Sequence, residues 1–180
     1  MAEKGLVKVA LSITTLDPDL ARRLEPRASS PERRLHAIEQ LSKAGIPTTV
    51  MVAPIIPAIN DSEIETILTR ASAMGAREAG YVMLRLPLEL REIFQEWLLV
   101  HFPDKLKHVM TLVQSVRDGK VYDSTWGKRM IGTGPYAWMI GRRFEMALAK
   151  NGFAKTRSSL RTDLFVPPTR VGEQLSLLGI

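Results

Sequence analysis

Few side chains in this sequence are equipped for chemistry on their own. The 180 residues include no Cys and three His, His36, His101 and His108. Without Cys there is no disulfide, no thiolate nucleophile, no thiolate zinc site and no cysteine ligation of an iron–sulfur cluster. The histidines are scattered, and His101 and His108, seven apart, lack the spacing of a strong ligand pair. Two features of the second half suit anions or bases. The run MIGTGPYAWMIGRRF places G-x-G before a helix, with Lys128 and Arg129 adjacent, and a helix N-terminus flanked by cations suits a phosphate. No strand precedes it, so the dinucleotide fingerprint fails its context and a structural turn is the expected role. Trp126, Tyr136 and Trp138 lie among basic residues, where aromatics can stack on bases. Packed core is the commoner role for such aromatics and the one expected here.

The elements that must position these residues follow from composition and periodicity. An apolar share of 45% is ample for a packed core and excludes general disorder. No apolar run approaches the ~20 residues of a membrane span. The start, MAEKGLVKVA, has neither the long apolar stretch nor the cleavage site of a secretion signal, so a cytoplasmic location is expected. Residues 1–100 carry 12 Lys/Arg against 13 Asp/Glu, whereas residues 101–180 carry 13 against 6. That asymmetry suggests a polyanionic partner, with DNA or another nucleic acid first, and equally suits a solvated basic surface.

Residues 6–13, LVKVALSI, read as a buried strand. A polar loop is expected from Thr14 to Ser30, then a helix starting at Ser30-Pro31 with Leu35, Ile38 and Leu41 on one face and Gly45 at its end. PTTVMVA, 47–53, is a second strand, stopped by the prolines of PIIPAIND. Asn60-Asp61 caps a helix with Ile64, Ile67, Leu68 and Ala71 inward and Gly75 at its end. AGYVMLRL, 79–86, is a third strand closed by Pro87, and a helix follows through Ile93, Phe94, Trp97 and Leu98. The alternation predicts an α/β fold with parallel strands and crossover helices. Strand spacings of about 40 and then about 33 residues fit βα units of a barrel. Beyond residue 100 the pattern is helical, with one helix from Pro103, a glycine-bearing loop over 118–134 and a helix over about 135–150. Residues 154–180 read as a flexible tail.

Three parallel strands do not close a barrel, and an open sheet this small exposes unpaired backbone. Ala2–Lys4 followed by Gly5 reads as the last turn of a helix and its stop. The expectation is therefore that Met1 is an internal methionine of a longer chain.

The run SITTLDPDLARRLEPRASSPERRLHAIEQLSKAGIPTTVMVAPIIPAIND resembles the radical SAM superfamily. More narrowly it is similar to bacterial spore photoproduct lyase-like, or DNA repair photolyase-like, radical SAM proteins. AGYVMLRLPLE, EWL, HFP and YDS-x-x-GKRMIGTGPYA continue that pattern, so the resemblance covers about residues 1–155. It implies a partial TIM barrel of six βα units. In that family the front half carries CxxxCxxC, whose thiolates hold a [4Fe–4S] cluster. The cluster binds S-adenosylmethionine (SAM) and cleaves it reductively to a 5′-deoxyadenosyl radical. The resemblance makes the three strands here the fourth, fifth and sixth, with the cluster-bearing half absent. Residues 1–100 then form half of a barrel, 101–153 a helical extension and 154–180 a basic tail.

The same resemblance implies cofactor-facing roles for four places at the barrel mouth. Ser12 would face the ribose or methionine end of SAM, where a hydroxyl both donates and accepts. Arg27, in LEPRA, would address the SAM carboxylate through two parallel hydrogen bonds. Ala53 and Ile55 belong to the apolar stretch against adenine, and Leu86 would contribute similarly. Read without the resemblance, Ser12 is a turn residue, Arg27 one of several solvated arginines and Ile55 plain core. Family members often carry Gly where this chain has Ala58; a positive φ there would cost Ala about 1 kcal/mol.

The chain ends GEQLSLLGI. Gln174, Leu175, Leu177 and Leu178 are similar to the pentapeptide that docks the bacterial sliding clamp, Gln at the pocket rim and leucines in apolar pockets. Two functions are thus expected to compete. One is a fragment of a radical SAM enzyme acting on nucleic acid or in DNA repair, inactive without its front half. The other is a non-catalytic, DNA-associated module that docks a sliding clamp.

Overall fold

A computed structural model describes residues 1–120, 122, 124–156 and 158–165. In chain order the elements are β1 (Val9–Ser12), α1 (Pro18–Leu24), α2 (Pro31–Lys43), β2 (Thr48–Ile55), α3 (Ile64–Ala73), β3 (Glu78–Met83), α4 (Leu90–His101), α5 (Leu106–Ser115), α6 (Lys128–Ile131) and α7 (Gly134–Lys150). The strands form one open parallel sheet in the order β1-β2-β3. The expected α/β architecture is therefore the one present. Among the described residues no helix is long and apolar enough to cross a membrane.

Period-two alternation assigns each strand residue to a face. Leu11, Val50, Val52, Ala79, Tyr81 and Met83 pack into the main core with Leu35 and Ile38 of α2, Ile64, Ile67, Leu68 and Ala71 of α3, and Ile140 and Phe144 of α7. The four α3 residues expected inward are fully buried. The opposite face carries Ala10, Ser12, Thr49, Met51, Ala53, Gly80 and Val82. Ala10 and Ser12 on it are exposed, and Thr49, Met51, Ala53 and Val82 only half-buried. A second cluster sits beyond the C-terminal ends of the strands, joining Ile56, Leu84 and Leu86 to Phe94 and Leu98 of α4 and Val109, Met110 and Val113 of α5.

Local chemistry explains where the elements start and stop. Ser30 caps α2 by accepting from the Arg33 N–H at 3.4 Å, with Pro31 at the first helical position. Gly75, after α3, has φ 91°, and a Cβ there would come within 2.3 Å of the Ser42 Oγ. Both the left-handed turn and the close approach of α2 require glycine.

Four expectations are corrected. The loops expected from Thr14 to Ser30 and over 118–134 contain helices, α1 and the single turn α6; the α1 cap Asp17 accepts from the Asp19 and Leu20 N–H groups. Seven residues with one buried side chain, Leu20, are too few to show a period. β2 does not stop at its first proline but runs through Pro54 to Ile55, with a cis Ala53–Pro54 bond and a register shift between Val52 and Ile55. Trp126 and Trp138 are 83% and 69% exposed rather than core. The chain does not leave the fold at residue 154: the Ala154 N–H donates to the Arg77 carbonyl at 2.9 Å and the Arg161 N–H to the Gly5 carbonyl at 3.0 Å. Between them the Ser158 N–H and hydroxyl both donate to the Glu78 carboxylate. Gln174, Leu175, Leu177 and Leu178 lie outside the described residues.

Candidate functional site

In parallel α/β sheets, ligands are met at the C-terminal ends of the strands. Here those ends are locked together by side chains that are not themselves exposed. Asn60 is buried; its amide nitrogen donates to the carbonyls of Thr14 at 2.8 Å and Pro54 at 2.9 Å, while its oxygen accepts from the Ile56 N–H at 2.7 Å. One side chain thus ties the segment after β1 to the end of β2. Sequence reasoning assigned Asn60 to a helix cap, yet it makes no capping bond. Its neighbour Asp61 accepts from the Tyr136 hydroxyl of α7. Burial, reinforced by that carboxylate, pushes the Tyr136 phenol well above its ordinary range, so it stays protonated.

The segment after β1 is held a second time. The Thr15 hydroxyl donates to Glu63, and the Leu16 N–H donates to the other Glu63 oxygen at 2.6 Å. The Thr14 hydroxyl lies 2.9 Å from the Glu25 carboxylate and 3.0 Å from the Ala53 carbonyl. Arg34 completes this corner, donating to the Glu25 carboxylate at 3.0 Å, the Ser29 carbonyl at 3.0 Å and the Ser12 carbonyl at 2.9 Å. Arg34, not Arg27, is therefore the arginine engaged at the end of β1. Nothing in the cluster Arg22, Arg23, Arg27, Arg33, Arg34 distinguishes it except its place one helical turn beyond the Ser30 cap.

The residues proposed to face a cofactor divide by placement. Ser12 and Ala53 share the uncovered face near the strand ends, since Ser12 is in register with Met51 and Ala53 lies two residues further. Arg27 is exposed on the turn between α1 and α2 and makes no hydrogen bond or ion pair among the described residues. Ile55 is buried in the main core and Leu86 in the second cluster, so packing leaves neither much surface to offer. Ala58, in the loop after β2, has φ 59°, the left-handed conformation in which Gly is the unstrained residue.

At the opposite end of the sheet, Glu78 accepts from Lys8 Nζ at 3.1 Å as well as from Ser158. Burial opposes its ionisation, but the Ser158 and Lys8 donors outweigh it and lower its pKa from 4.5 to about 2. Among the described residues no group of three or more His, Asp or Glu could hold a metal ion. With no Cys in the chain, thiolate ligation of a cluster has no residues here. The uncovered face can thus position a small polar or apolar group, but it carries no acid–base pair at its upper end.

An open parallel sheet with crossover helices on one face defines an α/β protein of the βα-unit class. Residues 1–71, which span β1, β2 and most of α3, match the family model of the Radical SAM superfamily. The chain is also 33% identical over 105 residues to uncharacterized proteins of Mycobacterium tuberculosis and Mycobacterium bovis, an alignment covering 57% of this chain and 31% of theirs. The chain thus spans about a third of the length of the curated relatives it matches. No solved structure matches it.

Proposed function

We propose that this chain works as the rear part of a radical SAM barrel, of the spore photoproduct lyase-like and DNA repair photolyase-like kind, and that the cluster-bearing strands pair with β1. The observation that carries the reading is that the stretch matching the Radical SAM superfamily contains β1 and β2, the strands with an uncovered face and a bare edge. The Val9 and Ile13 N–H groups donate to the carbonyls of Pro47, just before β2, and Met51 of β2. Parallel ladders alternate, so the N–H and C=O of Ala10 point away from β2, toward the place of a further strand. When bound, SAM and a [4Fe–4S] cluster would supply the radical chemistry. The residues of this chain do not fit the cluster, so no step is assigned through it here. They do fit a part in holding SAM: the Ser12 hydroxyl and the Ala53 surface lie open on the uncovered face, and Arg27 is unpaired above α1.

Nucleic acid is the proposed substrate class, supported by the excess of 13 Lys/Arg over 6 Asp/Glu in residues 101–180. The cytoplasm is the proposed location. The test is complementation. The chain is co-expressed with the part of the Mycobacterium tuberculosis relative that precedes the aligned stretch, and the purified pair is reconstituted with iron and sulfide. Co-purification with the charge-transfer absorbance of a [4Fe–4S] cluster, and SAM binding weakened by Ser12→Ala or Arg27→Gln, is the expected result. Failure of the two pieces to associate would remove the reading.

A further inference from the structure

The three tryptophans have different fates. Trp97 is a structural residue: it packs against Phe94 and Phe102, and its indole N–H donates to the Arg23 carbonyl at 3.0 Å. Trp126 and Trp138 are mostly exposed, and neither indole N–H has a partner among the described residues. The Arg129 guanidinium sits 4.5 Å from the centroid of the Trp126 ring, leaving the other face of the indole free. Trp138 lines a groove of about 500 Å³ together with Gly132, Gly134, Gly141, Arg142 and Glu145. Ile131 lines the same groove. In the chain, Trp126 precedes α6, whose last residue is Ile131, and Trp138 lies in the first turns of α7.

We infer that this surface, around α6 and the start of α7, holds a single-stranded nucleic acid, with bases stacked on Trp126 and Trp138 and phosphates met by Arg129, Lys128 and Arg142. The inference rests on the nucleic-acid part of the proposed function and is independent of the barrel part. Exposed indoles beside cations are the stacking platforms that single-stranded nucleic-acid sites use. The charges around them select the partner. Arg129 has no carboxylate partner among the described residues. Lys128 is 3.9 Å from Asp118, and the Arg142–Glu145 pair is exposed on both sides, so either cation can turn to a phosphate at little cost. Stacking needs an unpaired base, which favours a single strand over a duplex.

The test is titration of the full chain with oligo(dT), followed by tryptophan quenching, at roughly 50 and 200 mM salt. Quenching that weakens with salt is expected. Trp126→Ala and Trp138→Ala should each lower affinity roughly 5- to 150-fold, and Arg129→Gln should reduce the salt slope by about one. Both indoles are exposed, so each variant should melt at the wild-type Tm, which separates binding from folding. Equal binding by the Trp126→Ala/Trp138→Ala double variant, or equal competition by an abasic sugar–phosphate strand, overturns the stacking surface and leaves the nucleic-acid reading standing. No binding to any oligonucleotide at low salt overturns both and does not touch the complementation result.

Discussion

At the end of β3 the backbone is closed by the protein itself, whereas along the flank of β1 it is bare. Arg117, 1% exposed, donates to the carbonyls of Met83 and Leu84 beyond β3 and to the Lys128 carbonyl of α6, which lies against that strand. On β1 the Ala10 N–H and C=O have no partner among the described residues. Arg34 reaches the Ser12 carbonyl and nothing further down the strand. Proteins cover or charge the sheet edges they do not use. The contrast teaches that the edge is finished at the end of β3 and that β1 is suited to take another strand.

The largest expected effect tests the finished edge. Arg117→Met should cost about 3–4 kcal/mol, because it leaves buried carbonyls without donors; urea unfolding reads the loss, and a change under about 1 kcal/mol would break the comparison. Next comes the lower end of β3. Glu78 has its pKa lowered to about 2. Its stabilisation is full above its ordinary 4.5 and is lost as pH falls toward about 2. A loss of about 2–3 kcal/mol across that window is expected, absent in Glu78→Gln. On the bare side, Arg34→Gln should cost only about 1–2 kcal/mol, since its partners retain access to water. Ala10→Pro should change stability by about 1 kcal/mol or less, because the N–H it removes is unpaired, yet it should abolish association with the cluster-bearing piece. A large loss of stability in that variant would mean the edge is already in use. The smallest effect has the opposite sign: Ala58→Gly should stabilise by about 0.5–1 kcal/mol by relieving a left-handed Ala.

Much of the fold was legible because its signals are local. The Ile64, Ile67, Leu68, Ala71 stripe and the Ser30-Pro31 start each identify a helix within a few residues. The positive φ at Ala58 was anticipated from the Gly expected there, and the residue does adopt it. The candidate site was less legible. Asn60 looks like any helix cap until its amide is seen bridging Thr14 and Pro54, contacts made across 46 and 6 residues of sequence. Arg34 and Arg27 have the same side chain, and only the path of α1 decides which one meets Glu25. Ile55 appears on an apolar strand end, but after the register shift between Val52 and Ile55 it packs in the core.

The sequence by itself determined the order of the three strands and of the longer helices, and the absence of thiolate chemistry, because periodicity, caps and residue type are properties of short stretches. Tertiary structure alone decided which sheet face stayed uncovered, which strand end Arg117 closes, and that Trp97 is packed and half-buried while Trp126 and Trp138 are exposed. Those outcomes depend on which distant segments pack together, and burial is a property of the assembled fold rather than of any one residue.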